Sequence, residues 1–145
     1  MILARKPPEA AVKELLTAAQ LPTADLTPAH MEHFFGAWEG SRLEGVVGVE
    51  LLGAIALLRS LAVVAAKRGS GLGSELLVQI EHYAMEQGAC ALFLLTTTAE
   101  SFFRLRGYAQ IGRESAPEPI QRTAEFSNLC PANSVLMVKS LPVQR

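Results

Sequence analysis

Apolar residues recur along this chain at two periods, and the switches between them mark its elements. "ILAR" at the start reads as a short strand. Pro7 and Pro8 then suit the first turn of a helix whose apolar face is Val12, Leu15, Leu16 and Ala19. "LPTADLTPAHM" is a loop with one more helical turn, Thr27 capping it and Pro28 at its first position. Three strand candidates follow: "HFFGAWE", "RLEGVVGVELLG" and "AIALLRSLAVV". The turn signal "GS" and Gly53 separate them, which predicts an antiparallel meander.

A helix is predicted from about Ser70 to Gln87. Leu72, Leu76, Ile80 and Tyr83 share one face, Glu75, Gln79, His82 and Glu86 point elsewhere, and Gly88 sits where a C-terminal cap belongs. "ACALFLL" reads as a fully buried strand. "TTTAESFFRLRGY" reads as a polar strand end and a short helix stopped by Gly107. "YAQIGR" is a strand, "PEPIQRTAEF" a weak helix and "SVLMVKSL" a final strand. The order is β-α-(α)-β-β-β-α-β-α-β-(α)-β, with a strand–helix–strand unit from Ala54 to Leu95. No repeat, linker or low-complexity tract divides it, so one domain over residues 1–145 is expected.

Half of the 145 residues are hydrophobic, enough for a sizeable core. A net charge of −1 gives no global field for nucleic acid or anionic membranes, and no dense Lys/Arg run supplies one locally. No apolar run suits a signal peptide or a membrane span, so a cytoplasmic protein is expected. Cys90 and Cys130 match no zinc spacing, and Cys90, inside an apolar run, reads as a buried structural thiol. His30 and His33, beside Glu32, offer too few ligands for a metal site. Phe34, Phe35 and Trp38 read as core or wall.

Between the third strand of the meander and the long helix, "AVVAAKRGSGLGSELL" places Gly69, Gly71 and Gly73 at alternate positions after Lys67 and Arg68. A helix N-terminus presents unpaired N–H groups and a partial positive charge, and a loop bare of side chains lets an anion approach them. The loop fits neither common nucleotide pattern. A P-loop needs Lys then Ser/Thr after its last glycine, whereas Ser74 and Glu75 follow Gly73; a dinucleotide loop spaces its third glycine differently.

It does fill Arg/Gln-x-x-Gly-x-Gly/Ala, with Arg68, Gly71 and Gly73. Here "LRSLAVVAAKRGSGLGSELL" resembles the coenzyme A-binding segment of GCN5-related N-acetyltransferases (GNAT), and "FFRLRGY" resembles the aromatic end of the next helix in that superfamily. The tail, "APEPIQRTAEFSNLCPANSVLMVK", together with "ALLRSLAV" and "LFLLTTTAESFF", is similar to small acetyltransferases encoded beside arsenic-resistance genes. The same layout is also similar to the acetyltransferase domain of N-acetylglutamate synthases.

The resemblance implies a GNAT α/β fold: a mixed, mostly antiparallel, splayed sheet of about six to seven strands flanked by helices. It implies acetyl-CoA as co-substrate. Backbone groups of Leu61, Ala62 and Val63 would hold the pantetheine arm and acetyl carbonyl, with an N–H near Val63 as oxyanion donor. The N–H groups of Arg68, Gly69, Ser70, Gly71, Leu72, Gly73 and Ser74 would hold the pyrophosphate. Phe103 stands against the cofactor where many acetyltransferases carry Tyr.

The acceptor implied is a small amine or amino acid, attacked directly in a ternary complex; no partner beyond that or a homodimer is suggested. Glu50, in an apolar strand, is the candidate base, with Glu100 behind it, and water-mediated deprotonation is a third route. For the acid, Tyr108 and Tyr83 remain, both at positions that also suit packing. Arg59, a charge inside an apolar strand, needs a partner or a wet cleft. It could grip an acceptor carboxylate or pair with Glu50 on the neighbouring strand. Thr96 and Thr97, at a strand end, are acceptor candidates, while Thr98 suits a helix cap. Three other readings stand beside the enzyme for small amines: N-acetylglutamate synthesis itself, a non-catalytic acetyl-CoA-binding or sensor module, and a protein acetyltransferase.

Overall fold

The computed structural model describes residues 1–142. Seven strands are described: β1 (Ile2–Arg5), β2 (Phe34–Glu39), β3 (Arg42–Leu52), β4 (Ile55–Val63), β5 (Ala91–Thr96), β6 (Ala109–Ile111) and β7 (Val135–Ser140). The α-helices are α1 (Glu9–Ala18), α2 (Leu72–Glu86), α3 (Glu100–Arg104) and α4 (Glu118–Gln121). Each expected element is present, and the sheet order is β1-β2-β3-β4-β5-β7-β6. Strands β1, β2 and β3 pair antiparallel, as do β5, β7 and β6; β4 and β5 form the parallel pair around α2. This is the mixed, mostly antiparallel open sheet that the resemblance implied. Insertion of the last strand between β5 and β6 was not legible from element order.

Two compact units carry these elements. The first spans Met1–Glu50 and Leu58–Tyr83. Its core sets Val12, Leu15 and Leu16 of α1 against Phe34, Val46 and Ala62 of the strands, with Leu26 and Met31 from the loop between. The expected apolar face of α1 is the face it buries. On another part of β3, a Cβ at Gly45 would stand 2.8 Å from Leu76 and 3.2 Å from Leu72, so α2 packs directly on bare backbone. Gly48 has the same cause: its missing side chain is where the ring of Phe34 lies, 2.2 Å from a built Cβ. The second unit spans Leu51–Leu57 and the chain from Ala84. Leu57, Phe93, Ala116, Ile120 and Leu136 form its core.

Local differences from expectation have local causes. Helix α1 starts at Glu9, with Pro8 in extended conformation as the residue before it. The extra turn at Pro28–His33 is 3₁₀; Thr27 caps it, and its N–H donates to Nδ1 of His30 at 3.1 Å. The weak helix splits into α4 and a π-helical turn at Glu125–Leu129. Cys90 is exposed rather than buried, and neither cysteine forms a disulfide. It precedes β5, where its own N–H and C=O pair with Ala54 and Leu141 while its side chain stays in solvent.

Candidate active site

The glycine loop joins β4 to α2 through a 3₁₀ turn at Ala65–Lys67. Gly69 has φ +78° and Gly71 φ +90°, and a Cβ built on either meets nothing within 4 Å. Backbone conformation therefore demands glycine here, not packing. The loop is exposed, as is Arg68. Helix α2 begins at Leu72, two residues later than expected, which puts Gly73 and Ser74 in its first turn. First-turn N–H groups have no carbonyl one turn back to bond. Leu72 N–H makes only a long contact to Ser70 Oγ, 3.4 Å. Open space over two glycines, a helix N-terminus and a cation at the rim are what a pyrophosphate requires. Beside the loop lies a cavity of about 440 Å³ between α1 and the strand ends, lined in part by Ala11, Leu15, Glu44, Val64 and Arg68.

Just before the loop, the register of β4 with β5 covers only Ile55–Leu57 against Ala91–Phe93. Leu61, Ala62 and Val63 lie beyond its end. The side chain of Ala62 is buried in the α1 core, so this residue can serve a ligand only through its backbone. Ser60 has φ +62° inside the strand, a conformation costly for a side-chain-bearing residue. Nothing in the sequence signalled it.

Next to Ser60 sits the most buried charge among the described residues. The Arg59 side chain is fully buried. Its Nη1 donates to Asp25 Oδ2 at 2.6 Å and to Glu50 Oε2 at 3.0 Å. Its Nη2 donates to Asp25 Oδ1 at 2.9 Å, and Nε to Ser60 Oγ at 3.1 Å. The fork that was expected to take an acceptor carboxylate holds one from the chain itself. The alternative pair with Glu50 is formed. Asp25, from the loop after α1, was missed: it is 34 residues from Arg59 in sequence, and no local pattern links them.

Both carboxylates reach solvent, at 18% exposure for Asp25 and 20% for Glu50. Asp25 uses both oxygens on Arg59. Glu50 uses only Oε2; among the described residues Oε1 has no protein partner. Burial works against the charged form of Asp25. The hydrogen bond and charge of Arg59, with smaller help from its own backbone and His30, outweigh that and hold its carboxyl below the usual value.

The remaining candidates have other engagements. Tyr83 is buried, bonded to His33 Nδ1 at 2.7 Å, and packs edge-on against Phe35. In the second unit, Phe103 is buried between Phe102 and Tyr108, ring centroids 5.1 and 5.5 Å away. Tyr108 is 2% exposed with Lys139 Nζ over its ring, the packing role that the sequence also allowed. Thr96, rather than Thr98, accepts a backbone bond before α3, from Ala99 N–H at 3.0 Å. Thr97 is exposed. Glu100 forms an ion pair with Arg104 one turn on. No cluster of metal ligands is present among the described residues, and no helix there is long and apolar enough to cross a membrane.

With the sheet, bare loop and helix start in place, residues 4–111 match the acetyltransferase (GNAT) family. The chain belongs to that family. An uncharacterized N-acetyltransferase of Chlorobaculum tepidum is 32% identical to this GNAT protein over 117 residues, 77% of this chain and 73% of that one. An amino-acid acetyltransferase of Pseudomonas putida is 45% identical over 60 residues, 41% of this chain. The match spans only 14% of that relative's length. In fold, the chain is similar to N-acetylglutamate synthase from Neisseria gonorrhoeae complexed with coenzyme A and N-acetyl-glutamate. The TM-score is 0.84 at 19% identity, over 98% of this chain and 36% of that one.

Proposed function

We propose that this GNAT protein transfers an acetyl group from acetyl-CoA to the nitrogen of a small amine or amino acid, with Glu50 taking the amine's proton. The observation that carries the reading is the half-buried Glu50, one oxygen fixed by a buried guanidinium and the other unengaged among the described residues. Two carboxylates against one guanidinium leave one uncompensated negative charge at Asp25, Arg59 and Glu50. Such a site draws an ammonium group in.

Acetyl-CoA supplies the activated acyl carbon and a thiol leaving group. The chain's part is to hold it and to prepare the nucleophile. The N–H groups of Arg68 and Ser70 are bonded to the Ala65 and Lys67 carbonyls at 3.3 and 3.2 Å, so the pyrophosphate falls to the other N–H groups of the loop and helix start, and the β4 edge at Leu61–Val63 pairs with the pantetheine arm. Val63 N–H is the donor for the acetyl carbonyl oxygen. Glu50 Oε1 accepts one proton from the acceptor's ammonium. The freed nitrogen lone pair then forms the C–N bond as the C–S bond breaks. The sulfur leaves as thiolate and takes, through water, the second proton that the nitrogen sheds as the amide forms; Glu50 returns the first to solvent, so the products are the N-acetyl amine and CoA. No tyrosine is needed in this scheme, which suits Phe103 where an acid is otherwise common.

The fold likeness and the matched amino-acid acetyltransferase segment keep glutamate among the acceptors to be tried. The uncompensated negative charge speaks against a dicarboxylate at Arg59. The test of the base is Glu50→Gln, assayed with an acceptor that supports CoA release. A loss of about 100-fold in kcat is expected, since general bases contribute about 10²–10⁴, with acetyl-CoA affinity unchanged. A kcat within about twofold of wild type would remove Glu50 from the role.

A further inference from the structure

We propose that Asp25 is a positioning residue for Glu50, acting through Arg59. The inference rests on the reading of Glu50 as base.

The geometry divides the guanidinium's donors. Asp25 takes a parallel pair, Nη1 and Nη2, at 2.6 and 2.9 Å, and Ser60 takes Nε at 3.1 Å. Such a fork is rigid because both the guanidinium and the carboxylate are planar. What reaches Glu50 is a single bond, from Nη1 to Oε2 at 3.0 Å. The other oxygen of Glu50 is thereby left for the acceptor.

Without the Asp25 carboxylate, a fully buried cation would have Glu50 as its one remaining carboxylate among these three residues. A buried guanidinium short of a partner is costly. It would turn its fork onto Glu50 and take both oxygens. The carboxylate would still be present and charged, but no longer available to a substrate ammonium. Asp25 thus keeps the base from being captured by its own anchor. It comes from the loop between α1 and the 3₁₀ turn, so this loop sets how the base is presented.

The test is a double-mutant cycle with Asp25→Asn and Glu50→Gln, read as kcat and KM for acceptor and for acetyl-CoA. Asp25→Asn alone is expected to lower kcat about tenfold or more, as misplacement of a reacting group does, and to leave the acetyl-CoA KM unchanged. In the Glu50→Gln background the same substitution should change kcat less than about twofold, because the group it positions is gone. Arg59→Lys keeps the charge but cannot form the fork, and should reproduce Asp25→Asn if that variant folds poorly. An equal tenfold loss with and without Glu50, or wild-type kcat in both Asp25→Asn and Arg59→Lys, would overturn the positioning role. Glu50→Gln alone decides the base separately: wild-type kcat there would remove the base, and the positioning role with it.

Discussion

The glycine loop and the Asp25–Arg59–Glu50 cluster belong to the same compact unit, yet they are built in opposite ways. The loop offers backbone. Its glycines are dictated by φ of +78° and +90°, it is exposed, and the anion binding proposed for it would come from a helix start. The cluster offers side chains around a buried cation, drawn from two strands and a distant loop. A backbone site is written contiguously, over Arg68–Ser74, and tolerates variation in the side chains between its glycines. A buried ionic site has no such tolerance. Removing either carboxylate takes a counter-charge from a fully buried cation, and removing the cation leaves two half-buried carboxylates facing each other. On the proposed reading, the loop would serve a ligand common to a family, while the cluster would be where this chain is particular about its acceptor.

The largest expected effect breaks the loop. Arg68→Glu with Gly71→Glu puts two negative charges and a side chain where the pyrophosphate would sit. Acetyl-CoA affinity by calorimetry should fall at least about 100-fold, the equivalent of about 3 kcal/mol in hydrogen bonds to a charged group. Thermal stability should fall by only several degrees, because a Cβ at Gly71 meets no atom within 4 Å and the loss is limited to backbone strain at φ +90°, about 1–2 kcal/mol. Unchanged affinity would remove the anion site.

The cluster should show the reverse pattern, a change in stability with little change in acetyl-CoA affinity. Arg59→Ala strands two carboxylates and should cost about 3–5 kcal/mol in urea unfolding. Its contribution also has a sign in pH. Asp25 has a carboxyl held below its ordinary 3.8 in the folded chain, so the folded state binds that proton less readily than the unfolded one. The stabilisation is complete above 3.8 and is lost as pH falls through the lower folded value. Acid unfolding of Asp25→Asn should lack this component. A variant as acid-sensitive as wild type would show that the pair does not matter to folding.

The smallest expected effect sharpens the choice of base. Glu100 is tied to Arg104 at the surface, and such pairs contribute about 0.5 kcal/mol or less. Glu100→Ala should leave both stability and kcat nearly as they are. A large fall in kcat would move the base from Glu50 to Glu100.

What could be read from the sequence follows the same division. The strands, both long helices and the loop were legible because their signals are local: period, proline, glycine. Arg59 was conspicuous as a lone charge in an apolar strand, and its pairing with Glu50 could be guessed from strand adjacency. Asp25 could not, since only the folded loop brings it to Arg59. The backbone twist at Ser60 and the exposure of Cys90 were hidden for a like reason, each being set by how strands meet rather than by neighbouring residues. The tie to arsenic resistance rests on the sequence resemblance alone, that of the tail with "ALLRSLAV" and "LFLLTTTAESFF".

Acetyl transfer itself is tested most directly by thiol release from acetyl-CoA with the purified protein, across amino acids, polyamines and amine-bearing arsenicals. The account predicts CoA release with at least one small amine, accompanied by its N-acetyl product and abolished by Arg68→Glu with Gly71→Glu. Saturable acetyl-CoA binding with no release for any acceptor would contradict it, and would leave a sensor or a protein acetyltransferase in its place.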